Sequence, residues 1–528
     1  MKAVVEMERE NLPVASQAPA GMRHSVVFGT TAAAVYSLVL VKAIVMTGAF
    51  GTGPEMDAFT MAFLIPNLLA TIAAGNCGPA MVPVLASAAR EGQSARAAAF
   101  RATLWLSLAA SVAAAAGLYA LAGPLVSAIA PRFDAVRHAR AIELLRLLSL
   151  VPTASVVSGY CSAELLSRRK YVLVAAAPAI STAITIAVIL GFPRSITALA
   201  YGVVAGTVAQ AAIIMMLSLR SNPAAGRLRL WTPHTRGIVM AQLPLTGAAV
   251  FGVANASIDQ TFASLLPTGN VSALNYATGL HSLLLQSVVM GATWVALPEF
   301  SELASSGDLQ KMRERARQYM IALTAVAAPL TAVVLLFGSA GVHAVFERRA
   351  FTAHSTALVG GAWSGYALGM VPMAIGMVCV RILNATGANR ALIVVGATML
   401  PLNAVLDYIL MRVFGIYGIG LSTSLVVSCS AALLLYMVSS RIGKLIDAAT
   451  VRALLCAVLA SAAAGLACLG ARQLIGNGSA GLVISAALMV LSVGVLYAIA
   501  GLLEPVTARL SRFITARPPL AEKPGVPV

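Results

Sequence analysis

Long apolar runs, separated by short clusters of charge and by Gly/Pro turns, fill the chain from residue 25 to residue 503. A helix needs about 20 apolar residues to cross the hydrocarbon core of a bilayer. Fourteen runs meet that length: 25–49, 58–86, 102–130, 141–166, 171–192, 195–219, 237–265, 273–303, 318–346, 353–384, 390–411, 415–440, 453–474 and 480–503. The pattern predicts an all-α polytopic membrane protein with about 14 transmembrane helices, numbered span 1 to span 14. Several runs are longer than the bilayer requires, which implies tilt or extension beyond it.

Composition narrows the class further. The 528 residues are 59% hydrophobic and 10% charged, whereas a soluble domain carries about 25% charged residues. A soluble multidomain enzyme and a disordered chain are both excluded. The net charge of +17 is not a nucleic-acid signal, because the Lys and Arg residues sit in short loops between apolar runs. With a cytoplasmic N-terminus, 25 of the 36 Lys and Arg fall on the inside and eight on the outside. Three more, Lys42, Arg146 and Arg381, lie within spans. This bias predicts an N-in, C-in topology. Residues 1–24 mix Lys2 and Arg9 with Glu6, Glu8 and Glu10, unlike a secretory leader, so the first run is expected to remain as span 1. The six cysteines fall in apolar segments without CxxC or a His at ligand spacing, and read as small buried hydrophobes rather than a disulfide or metal site.

Part of the chain matches itself when shifted by 215 residues. Ala58 falls on Ala273, Ala62 on Ala277, Leu68-Leu69 on Leu283-Leu284, Pro83 on Pro298 and Gly92 on Gly307. A Thr-Gly turn opens each copy, at Thr52-Gly53 and Thr268-Gly269, and a basic loop closes each. The shift carries span 2 onto span 8, so the copies share one orientation. The expected organisation is two six-helix lobes in parallel duplication, 25–219 and 237–440, with spans 13 and 14 (453–503) appended. Residues 1–24 and 504–528 are expected to be cytoplasmic tails. Transporters built this way hold substrate between the lobes, near the midplane.

Several stretches carry a family likeness. FGTGPEMDAFTMAFLIPNLL (50–69), MVPVLASAAREG (81–92) and IDQTFASLLPTGNVSALNYATGL (258–280) resemble the MurJ/MviN family of lipid II flippases. So do RILNATGANRALIVV (381–395) and PLNAVLDYILMRVFGIYGIGLSTSL (401–425). The resemblance implies the fold of the multidrug/oligosaccharidyl-lipid/polysaccharide exporter superfamily in a bacterial inner membrane. It also implies transfer of an undecaprenyl-pyrophosphate-linked peptidoglycan precursor between leaflets, with spans 13 and 14 forming a groove for the lipid tail. The family carries arginines in spans 1, 2 and 8 that face a central cavity. Here Tyr36, Ala70 and Gly279 stand at those places, while Lys42, Asp57 and Arg381 match other charged positions of the family. Most of the cationic triad is therefore absent, which favours another lipid-linked glycan, such as an exopolysaccharide unit, as the alternative cargo. A drug/cation antiporter of the same superfamily is a further alternative, although that group stops at twelve spans. A non-transporting scaffold is the fourth reading.

Charge inside hydrocarbon is expensive and usually faces a cavity or a partner. Lys42, in the middle of span 1, is a candidate phosphate contact, with an internal salt bridge as its structural alternative. Arg381 is the second cation, near enough to the end of span 10 to snorkel. Asp57 precedes an apolar run and reads as a helix cap as well as a family site residue. His281 lies one turn from the vacant arginine position at Gly279, and is either a weak replacement for it or a core histidine. Asp259, between Asn255 and Gln260 in span 7, reads either as a site for a coupling ion, H⁺ or Na⁺, or as a structural hydrogen-bonder. No G-x-x-x-x-G-K-[ST], H-E-x-x-H or G-x-S-x-G motif is present, so no cofactor, nucleotide hydrolysis or covalent catalysis is expected. The energy must come from an ion gradient or the membrane potential.

Overall fold

The computed structural model describes residues 18–75, 77–220, 230–285, 291–388, 390–475 and 493–494. Among the described residues, each run predicted as spans 1 to 13 is built of helix. Span 1 is Ala18–Phe50, span 2 is Pro54–Gly75 with Cys77–Glu91, and span 3 is Gln93–Ala120, followed by a short helix Ala122–Ile129. Span 4 is Ala135–Leu148 with Val151–Ser167, span 5 is Tyr171–Gly191 and span 6 is Ile196–Arg220. Span 7 is Pro233–Ala263, span 8 is Asn270–Leu285 with Gly291–Ser306, and span 9 is Leu309–Phe346. Span 10 is Ala353–Ala367 with Met370–Ala385, bent by 46° at the break. Spans 11, 12 and 13 are Arg390–Phe414, Ile416–Ile442 and Ala448–Ile475. Ten of these helices are long and apolar enough to cross a membrane, or eleven with the bent pair counted as one. Residues 1–17, span 14 apart from residues 493–494, and residues 504–528 lie outside the described residues, while residues 18–24, expected as tail, begin the helix of span 1.

Basic stretches expected as loops are helical instead. Span 3 begins at Gln93 and span 9 at Leu309, so Arg96, Lys311 and Arg315 ride on helices. The reason lies in amphipathic first turns: Met312, Ala316 and Tyr319 are buried while Lys311 and Glu314 face outward. Asp308 caps the span 9 helix by accepting from the Lys311 backbone N–H at 2.9 Å. Gly92 and Gly307, the same position in the two copies, both have positive φ, at 131° and 72°, which glycine adopts at little cost.

The packing repeats with the period of the sequence. Span 1 packs on span 5 as span 7 packs on span 11; spans 2 and 4 pair as spans 8 and 10 do; spans 5 and 6 pair as spans 11 and 12 do. Span 13 lies along span 9. Where spans 10 and 12 cross, a Cβ on Gly420 would stand 2.5 Å from the Ala362 carbonyl oxygen. Only glycine lets the helices approach so closely, and Ser424 Oγ then donates to the Gly365 carbonyl at 2.6 Å.

At one end the halves share a core, and at the other the contact between them runs through span 7. At the end carrying the 51–53, 264–269 and 347–352 turns, here the latch end, one apolar core includes Phe59 and Leu144 of the N-terminal half with Tyr276, Phe351 and Ile419 of the C-terminal half. Towards the other, basic end the core divides. One cluster, around Phe100 and Tyr160, is built from the N-terminal half with Ile238 of span 7, and another, around Phe300 and Ile382, belongs to the C-terminal half. Ion pairs hold the basic end of each half. Glu164, fully buried, takes Arg96 at 3.2 Å and Arg168 at 2.6 Å, and Glu299 takes Arg315 at 3.0 Å. At the turn into span 13, the Thr450 hydroxyl and backbone N–H, helped by Arg317 at 2.7 Å, hold the Asp447 carboxyl below the usual carboxylate range.

Candidate functional site

The close crossing of spans 10 and 12 brings Tyr366 and Thr423 to the face of span 7 that carries Asp259. Its carboxylate is buried and accepts from Asn403 Nδ2 at 2.7 Å, Thr423 Oγ1 at 2.9 Å and Tyr366 OH at 3.4 Å. The same Asn403 amide also donates to Asp407 at 3.3 Å, and Asp407, fully buried, accepts from Ser422 Oγ as well. Two carboxylates thus share one amide, with no Lys or Arg paired to either among the described residues. Both cannot stay ionised in a dry site without a positive partner. Around the shared amide nitrogen the carboxylate and hydroxyl oxygens of Asp259, Asp407, Thr423 and Ser422 are of the kind that bind a hard cation. One turn before Asp259 on the same helix, the Asn255 Oδ1 is buried and accepts no hydrogen bond from a described residue.

Asp57 does something other than cap its own helix. It stands inside the first turn of span 2 and reaches across to the start of span 8. There it accepts from the Gly269 N–H at 2.6 Å, the Ser272 N–H at 2.9 Å and the Ser272 hydroxyl at 2.7 Å, so it caps the helix of the other half. The own-helix cap is corrected to this one, and the reason is the close approach of two related turns: Asp57 and Ser272 are the same position in the repeat. Arg137 stands 4.0 Å away. Neighbouring bonds finish the latch: Thr52 to Ser355 (2.7 Å between hydroxyls), Tyr276 OH to the Gly51 carbonyl (3.1 Å) and Ala350 N–H to the Gly48 carbonyl (3.3 Å).

Lys42 is half-buried in span 1 and has no hydrogen bond or ion pair among the described residues, so no internal salt bridge accounts for it there. Gly279 is exposed, and a Cβ built there meets nothing within 4 Å. Ala70 lines a cavity of about 380 Å³ with Asn67, Ser158, Thr207 and Gln210. His281 lies against the ring of Tyr366, centroids 5.5 Å apart, which joins it to the Asp259 cluster. Arg381 is half-buried in the second helix of span 10, one turn from its end at Ala385. The site residues therefore fall into separate groups: Asp259 with His281, Asp57 at the latch, Lys42 and Arg381 apart. Sequence reasoning did not select Asp407, Asn403, Thr423 and Tyr366. The readable signal was Asn403 and Asp407 four residues apart in an apolar run, which puts an amide and an acid on one face of span 11.

Comparison with known proteins fixes the lineage. "Probable lipid II flippase MurJ" of Synechocystis sp. is 26% identical over 431 residues, covering 77% of this chain and 79% of that one. A solved structure, "Lipid II flippase MurJ, inward closed conformation", superposes with a TM-score of 0.77 at 17% identity, over 93% of this chain and 99% of its own. An inward-facing multidrug resistance MATE family transporter of the MOP superfamily gives 0.66 at 16% identity, over 77% and 94%. The fold is thus common to flippase and multidrug resistance transporter, and the sequence separates them. The profile of the family described as "Lipid II flippase MurJ" matches residues 46–490, and the chain belongs to that family.

Proposed function

We propose that this multi-pass membrane protein moves lipid II from the inner to the outer leaflet of a bacterial inner membrane by alternating access, driven by a cation, Na⁺ or H⁺, held between Asp259 and Asp407. The basic end then faces the cytoplasm, both termini with it, and the two lobes are residues 25–219 and 237–440. The observation that carries the coupling is the buried carboxylate pair lacking a basic partner among the described residues. The family supplies the cargo. No covalent step is needed, because the work is a change of lobe contacts around a bound lipid.

Span 7 supplies the link between ion and cargo. Its latch-end half carries Asp259 and packs on span 11, whereas its basic-end half lies on the N-terminal half of the protein. There His234 meets Glu91 at 2.9 Å and Gln242 accepts from Tyr160 OH at 2.6 Å. Ion binding therefore acts on a helix that touches both lobes.

A different lipid-linked glycan is the second reading, favoured by the neutral amide and hydroxyl lining around Ala70. The test is reconstitution in proteoliposomes with fluorescent lipid II, outer-leaflet arrival being read by an impermeant quencher under an imposed Na⁺ or pH gradient. The wild type should translocate lipid II, and Asp259→Asn should slow it at least tenfold and flatten its response to both gradients. Normal transport by Asp259→Asn would leave Asp259 as a structural hydrogen-bonder. Transport of another lipid-linked glycan but not lipid II would establish the second reading.

A further inference from the structure

A cavity of about 1070 Å³ opens at the latch end, on the seam between the two halves. Its wall is hydrocarbon, from Ile44 and Gly48 of span 1 and Leu190 of span 5. Three arginines line it as well: Arg194 from the turn after span 5, and Arg348 and Arg349 from the turn after span 9. We infer that this groove binds the diphosphate head of the transported prenyl lipid, with the first part of its chain on the apolar wall, as the lipid leaves.

The inference rests on the function proposed above and adds a site to it. Among the described residues none of the three arginines is paired with a carboxylate. The adjacent Glu347 is already taken by His343 at 2.7 Å and Thr356 at 2.6 Å. Arg348 donates only to the Ala344 carbonyl, at 3.4 Å. Arg194 and Arg349 also hold φ of 72° and 54°, a region that long L side chains occupy at a cost in backbone energy. Three unpaired forks suit a diphosphate diester, with two charges and many acceptor oxygens, better than a phosphodiester with one. The site is also built from both halves. Gly48 belongs to the floor, and its carbonyl accepts from the Ala350 N–H across the seam, so opening the latch must reshape the groove.

Binding is measured on the purified full-length protein in zwitterionic nanodiscs, with undecaprenyl diphosphate, phosphatidylglycerol and inorganic pyrophosphate as separate probes. Photo-crosslinking by a diazirine-bearing prenyl diphosphate, followed by peptide mapping, locates the contact. The prenyl diphosphate should bind at least tenfold more tightly than either other probe and crosslink to residues 44–49, 189–194 or 348–350. Arg194→Asn with Arg348→Gln and Arg349→Asn should weaken it tenfold or more; asparagine suits the positive φ at 194 and 349, which keeps the fold. Gly48→Leu, where a Cβ meets nothing within 4 Å, should weaken the lipid but not inorganic pyrophosphate. Equal binding of phosphatidylglycerol would mean a general anionic-lipid contact and overturn the site. So would crosslinks elsewhere, or a triple variant that binds normally. Because binding is read without transport, a protein that binds here but moves no lipid II refutes the proposed function alone. Lipid II transport with an unaffected triple variant refutes this site alone.

Discussion

An ammonium group in hydrocarbon costs at least about 2.5–3.5 kcal/mol on insertion scales, and Lys42 bears that cost with no anionic partner among the described residues. A charge-assisted contact contributes about 1.5–3 kcal/mol, roughly ten- to hundredfold in affinity. Lys42→Ala should therefore weaken binding of a lipid-linked diphosphate by that factor, while Lys42→Arg keeps most of it. Gly279→Arg should strengthen it, since the position opens onto empty space. Titrating purified variants with lipid II and with the same lipid lacking its diphosphate checks all three; an unchanged Lys42→Ala would remove Lys42 from the binding path. At this scale the sequence was informative where a residue is conspicuous in its own segment. Asp259 stands out as the one carboxylate of an otherwise uncharged run. Its ligand partner Asn403 is 144 residues away, and no local pattern joins two residues that only a helix crossing brings together.

Helices were legible as elements because a bilayer imposes their length, and their ends were not. Charge does not end a span, because a helix continues past the hydrocarbon wherever one face still finds cover, as Met312 and Ala316 do. Helix capping is hidden from the local sequence for a related reason: Asp57 precedes an apolar run, but the groups it accepts from belong to the start of span 8. Replacing it with Asn removes the charge and leaves the Gly269 N–H, Ser272 N–H and Ser272 hydroxyl competing for one oxygen. Loss of a charged, buried hydrogen-bond acceptor costs about 1.5–3 kcal/mol, so Asp57→Asn should shift the protein towards a parted latch by roughly tenfold or more. Spin labels at Val136 and His354, both exposed at that end, read the separation by pulsed dipolar spectroscopy. An unaltered distance distribution would show that the apolar core alone keeps the latch shut.

For the whole molecule, the repeat at 215 residues was visible through its prolines and glycines, and the packing follows it pair by pair. Which end of the molecule is joined was not visible, since nothing in a hydropathy pattern tells whether two lobes touch above or below the midplane. The shared core and the Thr52–Ser355 hydroxyl contact make that end testable. With both residues changed to Cys, oxidation should lock the latch and stop lipid transfer, and reduction should restore it. Binding of Na⁺ at the Asp259 pair should persist throughout, because that pair lies within one half. Continued transfer by the oxidised protein would mean that the latch does not open in the cycle. The division of span 7 between the halves also has a mechanical consequence. From Asp259 to His234 the helix is a rod of about 37 Å at 1.5 Å per residue. Pivoting about its ion-binding end, it swings its far tip by roughly 3 Å for each ~5° of tilt, a full hydrogen-bond length. A displacement too small to rebuild the carboxylate pocket is thus large enough, at the other end of the lever, to unseat His234 from Glu91.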